Sequence, residues 1–309
     1  MLVNTIENIT AVVPVNALNG FATFKPYIEK AERWIKPVLS TDLYDKLGAS
    51  EQAESEALKL ARICIVNYAM WDGFDMLNVT HDDSGFRRAS KEQSLYRYQE
   101  ENLRAGFKSA AFDGIDALLE YLQSNIADYP EFETSTFYVS AKGSIFPDTS
   151  SFNKVYNIGN SRLVFLQLSA FFDRVIDFEL RPVLTSALYE SFIGNLSAED
   201  PNADLSALLP LVRKVLAFYA VAYGVDELGL RVTDKGLYFD NEAASGNSHI
   251  QTQLADVESL RKKALLNAAR YKAMLLEYLQ AHSDKYDVST EAKSNPYRRN
   301  NDGKKTAWY

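Results

Sequence analysis

The sequence predicts a mainly α-helical protein: two tandem, homologous helical-bundle domains, each opened by a short β or extended segment. Three observations lead there. Apolar residues recur at spacings of three and four along most of the chain. Three blocks of the first half return, in the same order, in the second. The 309 residues are 47% hydrophobic and 24% charged, an ordinary globular balance that indicates neither disorder nor a membrane protein. That length suits two medium domains.

The repeated blocks define the domains. Lys36-Pro37-Val38-Leu39-Ser40-Thr41-Asp42-Leu43-Tyr44 reappears as Arg181-Pro182-Val183-Leu184-Thr185-Ser186-Ala187-Leu188-Tyr189. Arg62, Tyr68, Gly73, Asp75 and Gly85 match Arg213, Tyr219, Gly224, Asp226 and Gly236 at one constant offset. Leu118 to Gln123 recurs letter for letter as Leu275 to Gln280. A repeat of half the chain is far longer than the roughly 20–50 residues of a solenoid unit, so each copy is expected to have its own core. The expected domains are 1–135 and 136–288, followed by a tail over 289–309.

Within the first copy, Phe24 to Ile35 opens an amphipathic helix that Pro37 ends or kinks, because proline lacks the backbone donor. Ser40-Thr41-Asp42 offers N-caps for a short helix closing near Gly48. Ala57 to Leu77 is apolar nearly all round and reads as the central helix; Lys59, Arg62, Asp72 and Asp75 make it a core helix, not a bilayer span. Thr80 to Phe86, matched by Arg231 to Leu237, suits a tight turn built on Asp83 and Asp234. Leu103, Phe107, Ala111, Ile115, Leu118 and Leu122 form the stripe of a long helix. Leu254, Val257, Ala264, Ala268, Tyr271, Leu275 and Tyr278 repeat it. Phe137-Tyr138-Val139 and Ser144-Ile145-Phe146 are β-prone and read as linker and opening strand of the second copy, with Leu2-Val3 and Val12-Val13 as counterparts.

Chemistry is thin. One cysteine, Cys64, excludes an intrachain disulfide framework, and mid-helix among isoleucines it reads as a small hydrophobe. There is no phosphate-cradling glycine loop, nucleophile elbow or His-Glu-x-x-His pair. His81, His249 and His282 lie far apart; His81-Asp82-Asp83 reads as a solvated turn, since the second copy has Val232 and Thr233 there. Arg62 with Asp75, and Arg213 with Asp226, read as shared fold contacts, an ion pair or helix-end bond. No cofactor, metal or catalytic residue is expected, and the protein is expected not to be an enzyme. The net charge of -8 disfavours broad nucleic-acid binding. The opening residues lack the pattern of a signal peptide. The tail carries Arg298, Arg299, Lys304 and Lys305 and ends in Trp308-Tyr309, the composition of a docking arm with an aromatic anchor.

Several patterns together resemble a known family. They are Ala31-Glu32-x-x-Ile35-x-Pro37-x-Leu39 followed by Leu43-Tyr44-x-x-Leu47, the Thr233-Asp234-x-Gly236 turn, Tyr121-Leu122 before Tyr129-Pro130, and Asn157-Ile158-x-x-Ser161. The set resembles a family encoded among structural genes of phages and prophages of Bacteroidota, including crAss-like phages. More remotely, each helical unit is similar to the head–tail connector (adaptor) proteins of tailed bacteriophages, which have one unit where this chain has two. The resemblance implies a homo-oligomeric ring, with a dodecamer as one symmetry, bound to the portal and to other neck or tail proteins. Genomic DNA would pass through its lumen without sequence-specific binding, and no membrane would be involved. It implies a place at the neck of the virion after assembly in the host cytoplasm. The other expectation is a soluble helical scaffold or regulatory protein that binds a protein partner.

Overall fold

A computed structural model describes residues 1–15, 20–49, 55–82, 85–88, 96–228, 230–233, 236–239 and 250–286. The chain is mainly helical, as expected. The first half runs α1 (Ile6–Thr10), α2 (Phe21–Leu39), α3 (Thr41–Ala49), α4 (Glu56–Asp72) and α5 (Phe74–Leu77). It continues with β1 (Val79–Asp82), β2 (Gly85–Arg88) and α6 (Arg97–Ser124), then a 3-10 turn over Pro130–Thr134 and α7 (Thr136–Lys142). The second half follows with α8 (Thr149–Asn153), α9 (Arg162–Ser169), α10 (Phe172–Val175), a π-helical turn over Ile176–Leu180 and α11 (Arg181–Leu184). It ends with α12 (Ser186–Leu196), α13 (Ala203–Leu228), β3 (Leu230–Thr233), β4 (Gly236–Phe239) and α14 (Ile250–Ala281).

The second half therefore repeats the order of the first: a five-residue helix, a long helical stretch, a short helix, a central helix, a hairpin and a final long helix. The hairpins have the same register, Asp82 facing Gly85 in one and Thr233 facing Gly236 in the other. Smaller features recur too. Thr5 caps α1 by accepting from Asn8 N, and Asp148 caps α8 by accepting from Ser151 N at 2.6 Å. Ser40 and Thr185 both adopt left-handed backbone (φ 76° and 60°), rare for residues with a Cβ. Each hydroxyl accepts from the amide three residues on, Leu43 at 3.2 Å and Leu188 at 3.4 Å, and so starts the short helix that follows.

The described residues form two apolar cores. One gathers Leu2, Val3, Ile28, Leu43, Cys64, Ile65, Leu118 and Phe132, with Phe137 and Tyr138 packed against it. The other gathers Ile145, Phe146, Phe152, Phe192, Val215, Ala268 and Leu275. Fully burying one such leucine, isoleucine or phenylalanine contributes about 1.5–3 kcal/mol. α7 packs on α2, with Phe137 and Tyr138 against the first core, and Ile145 belongs to the second.

Other expectations are corrected. Phe137-Tyr138-Val139 is helical, not a strand: Ser135 caps α7 by accepting from Tyr138 N, and a local cap outweighs β-propensity. Leu2-Val3 and Ile145-Phe146 are buried but irregular; the strands among the described residues are the two hairpins. Pro37 does not end its helix, since α2 continues to Leu39. Pro37 and Arg33 are both exposed, so the carbonyl robbed of its donor can turn to water. Leu103 is exposed at the start of the α6 stripe, whereas Ala111, Ile115, Leu118 and Leu122 are buried. The central helix of the first half breaks at Gly73, where a Cβ would stand 2.7 Å from the Tyr27 ring. α13 runs straight through Gly224 and is long and apolar enough to cross a bilayer, but Val212, Val215, Leu216 and Val221 are buried in the second core.

Candidate functional site

The residues marked by the repeat do not converge on one site; they frame each half. Arg62 Nε donates to Leu2 O at 2.8 Å, and Arg213 Nε donates to Ile145 O at the same distance. Each guanidinium thus satisfies a carbonyl of a buried, irregular opening segment that no ladder could satisfy. Asp75 pairs with Arg104 at 3.1 Å and Asp226 with Arg261 at 3.3 Å, so neither aspartate meets the repeated arginine. Lys36 lies 5.0 Å over the Tyr44 ring and Arg181 4.7 Å over the Tyr189 ring. Leu43 and Leu188 are buried beneath, and Pro182 begins α11 as Pro37 sits near the end of α2. Tyr68 stacks on Trp34; Tyr219 is buried, and burial together with Glu179 pushes its hydroxyl up to about 12.

One buried carboxylate has a specific role in the first half. Glu32, 6% exposed, accepts from Leu2 N at 2.5 Å, from Val3 N at 3.1 Å and from the Tyr44 hydroxyl at 2.9 Å. Burial and this bond raise the Tyr44 hydroxyl well above its ordinary value. Glu32 is therefore a clamp on the opening segment. Cys64 is buried, as expected; desolvation pushes its thiol up to about 12, and Gly114 leaves room for the sulfur, since a Cβ there would lie 3.0 Å from it. His282 bonds Tyr278 O through Nδ1 at 2.9 Å, a structural contact. Among the described residues no group of three His, Cys, Asp or Glu side chains could hold a metal ion. The side chain of His81, Asp83, Asp234, His249 and the tail with Arg298, Arg299, Lys304, Lys305, Trp308 and Tyr309 lie outside the described residues.

A groove of about 580 Å³ opens where the halves meet. Asp113, Asp116, Ala117, Glu120 and Gln123 come from one face of α6, at helical spacings of three and four. Asp148, Thr149 and Ser150 come from the start of α8, and Gly159 and Asn160 from the loop before α9. That loop is held by side chains: Asn153 Oδ1 accepts from Ile158 N at 2.8 Å and Asn160 N at 3.2 Å. Gly159 (φ 66°) and Asn160 (φ 52°) are both left-handed, the two residue types that take this conformation most readily.

Asp116 of the groove makes an ion pair between the halves with Arg162, which does not itself line the groove. Arg162, 3% exposed at the start of α9, donates to Asp116 Oδ1 at 2.5 Å, and its guanidinium lies 5.1 Å over the Phe137 ring. Burial still holds the Asp116 carboxyl above the ordinary carboxylate range, against the opposing pull of Arg162. Asp113, Glu120 and Asp148 add negative charge, and among the described residues no lysine or arginine lines the groove. The apolar stripe of α6 does not reveal this site; the signal the sequence offers is the acidic face of that helix, Asp113, Asp116 and Glu120.

The chain belongs to the family described as "Family of unknown function (DUF6712)", whose profile matches twice, over residues 35–142 and 180–299. One match falls in each half. No curated protein and no solved structure matches the chain.

Proposed function

We propose that the two halves are copies of one module and that the chain is a structural virion protein of a tailed bacteriophage. It forms a homo-oligomeric head–tail connector ring, bound to the portal and surrounding the DNA passage. One observation carries this reading: the same bonds frame both halves, while their outer faces differ. That is the build of a brick that works through its contacts with neighbouring copies. The position in the neck comes from the resemblance to structural proteins of Bacteroidota phages. Head-to-tail contacts between such bricks close into a ring when their rotation permits. A net charge of -8 lets DNA pass without the phosphate contacts that would hold it.

Electron microscopy and light scattering of the purified protein, alone and mixed with a phage portal, test the reading. Rings or portal-bound collars are expected. A monomer that ignores the portal overturns it.

A further inference from the structure

We propose that the acidic groove between the halves receives the basic C-terminal segment, residues 289–309, of a second copy of this chain. The groove is a shaped cavity whose charge is one-sided. Asp113 and Glu120 are exposed on its α6 wall, and Asp148 stands opposite. Arg162 answers Asp116 alone by direct contact. A second feature inside the groove calls for an occupant. Thr149 is 2% exposed, and although its hydroxyl lies beside the Asp116 carboxyl it meets no partner at hydrogen-bond geometry. A buried hydroxyl without a partner costs free energy, which an incoming donor or acceptor recovers.

The occupant follows from charge and stoichiometry. Residues 289–309 carry Lys293, Arg298, Arg299, Lys304 and Lys305 against Glu291 and Asp302, so this segment is basic in an otherwise acidic chain. The acidic face is not repeated: at the positions of Asp113, Asp116 and Glu120, α14 has Arg270, Ala273 and Glu277. Among the described residues one such acidic groove is found, and one groove with one tail per chain is the pairing that a head-to-tail contact requires, because each copy must give one and receive one. Arginine forks suit paired carboxylates, and the groove excludes part of the solvent that would screen them. The proposal deepens the ring reading by naming the contact between neighbours, but it does not depend on the portal.

The full-length protein supplies the test. A photo-crosslinking residue placed at position 300, in a mixture of isotopically light and heavy copies, is expected to attach to the 113–123 or 148–160 peptides of the other copy. Asp113→Lys with Glu120→Lys changes two exposed side chains, so the fold should persist by circular dichroism. This double variant is expected to weaken self-association on the order of tenfold and to lose the crosslink. Adding Lys304→Glu and Lys305→Glu is expected to restore both. Crosslinks confined to the same copy, crosslinks elsewhere, or a double variant that assembles as before each overturn the proposal. Rings that survive without the crosslink would leave the ring reading standing and remove this one; a tail crosslink in dimers that never close would do the reverse.

Discussion

In the first half Trp34 stacks on Tyr68 with ring centroids 4.2 Å apart, and Phe112 and Trp71 close around them at 5.4 and 5.3 Å. At the aligned positions the second half has Glu179 for Trp34, Tyr219 for Tyr68, Ala269 for Phe112 and Ala222 for Trp71. Glu179 accepts from Lys272 at 2.8 Å and from the Tyr223 hydroxyl at 3.1 Å, and Lys272 stands where the first half buries Ile115. The corresponding face is thus an aromatic cluster in one half and, in the other, a Glu179–Lys272 ion pair joined by the Tyr223 hydroxyl. The long helix beneath differs as well: α2 is continuous, whereas α9, α10 and α11 are interrupted, with Phe178 in the π-helical turn 66% exposed. What does not differ is the arginine bond to the opening segment: Arg62 to Leu2 O and Arg213 to Ile145 O, both at 2.8 Å. Each half must satisfy the backbone of its opening segment, so Arg62 and Arg213 perform one task while the surrounding faces differ.

The largest effect should come from that shared task. Arg62→Ala and Arg213→Ala each leave a carbonyl in or beside a core without its donor, a loss of about 1–3 kcal/mol. Denaturant unfolding should show the two losses to be similar. A loss in one half and none in the other would break the equivalence.

A smaller effect should separate the faces. Lys272→Met removes a half-buried ion pair and is expected to cost about 1 kcal/mol, shrinking as salt is raised. Trp34→Ala also destabilises, but its loss should not depend on salt, since stacking and burial carry no net charge. Equal salt dependence in the two variants would erase the distinction drawn between the faces.

The smallest effect at neutral pH belongs to Cys64. Its folded pKa is raised, so the thiol stays protonated in the fold while the unfolded chain ionises from about pH 9. The unfolded state then binds fewer protons, and stability falls as pH rises from about 9 toward about 12. Tyr219, with an ordinary value of 10.0 pushed up to about 12, adds to the fall above pH 10. Cys64→Ala should flatten the onset between pH 9 and 10, and native protein at pH 8 should not react with a thiol reagent. Rapid labelling without denaturant would show that the first core is open.

Much of the fold was legible in the sequence for a plain reason. Periodicity reports which face of a helix leaves water, so Ala111, Ile115, Leu118 and Leu122, and Ala264, Ala268 and Leu275, could be read as core before any coordinates. The repeated Ser40/Thr185 and Arg62/Arg213 marked features that both halves need. α2 runs two residues past Pro37, to Leu39, because proline's cost depends on whether the orphaned carbonyl meets water. Phe137 to Val139 misled because β-propensity is weaker than a capped turn.

The sequence by itself determined that the chain is helical, that its pattern occurs twice, and which residues each half needs to close its core, because spacing and self-similarity are properties of the chain alone. Only the tertiary structure decided that Asp113, Asp116 and Glu120 face Asp148 and Thr149 across a groove, and that Arg162 reaches back from the second half to Asp116. Those partners are 46 residues apart for the ion pair, and no local rule of spacing encodes a contact made by packing one half against the other.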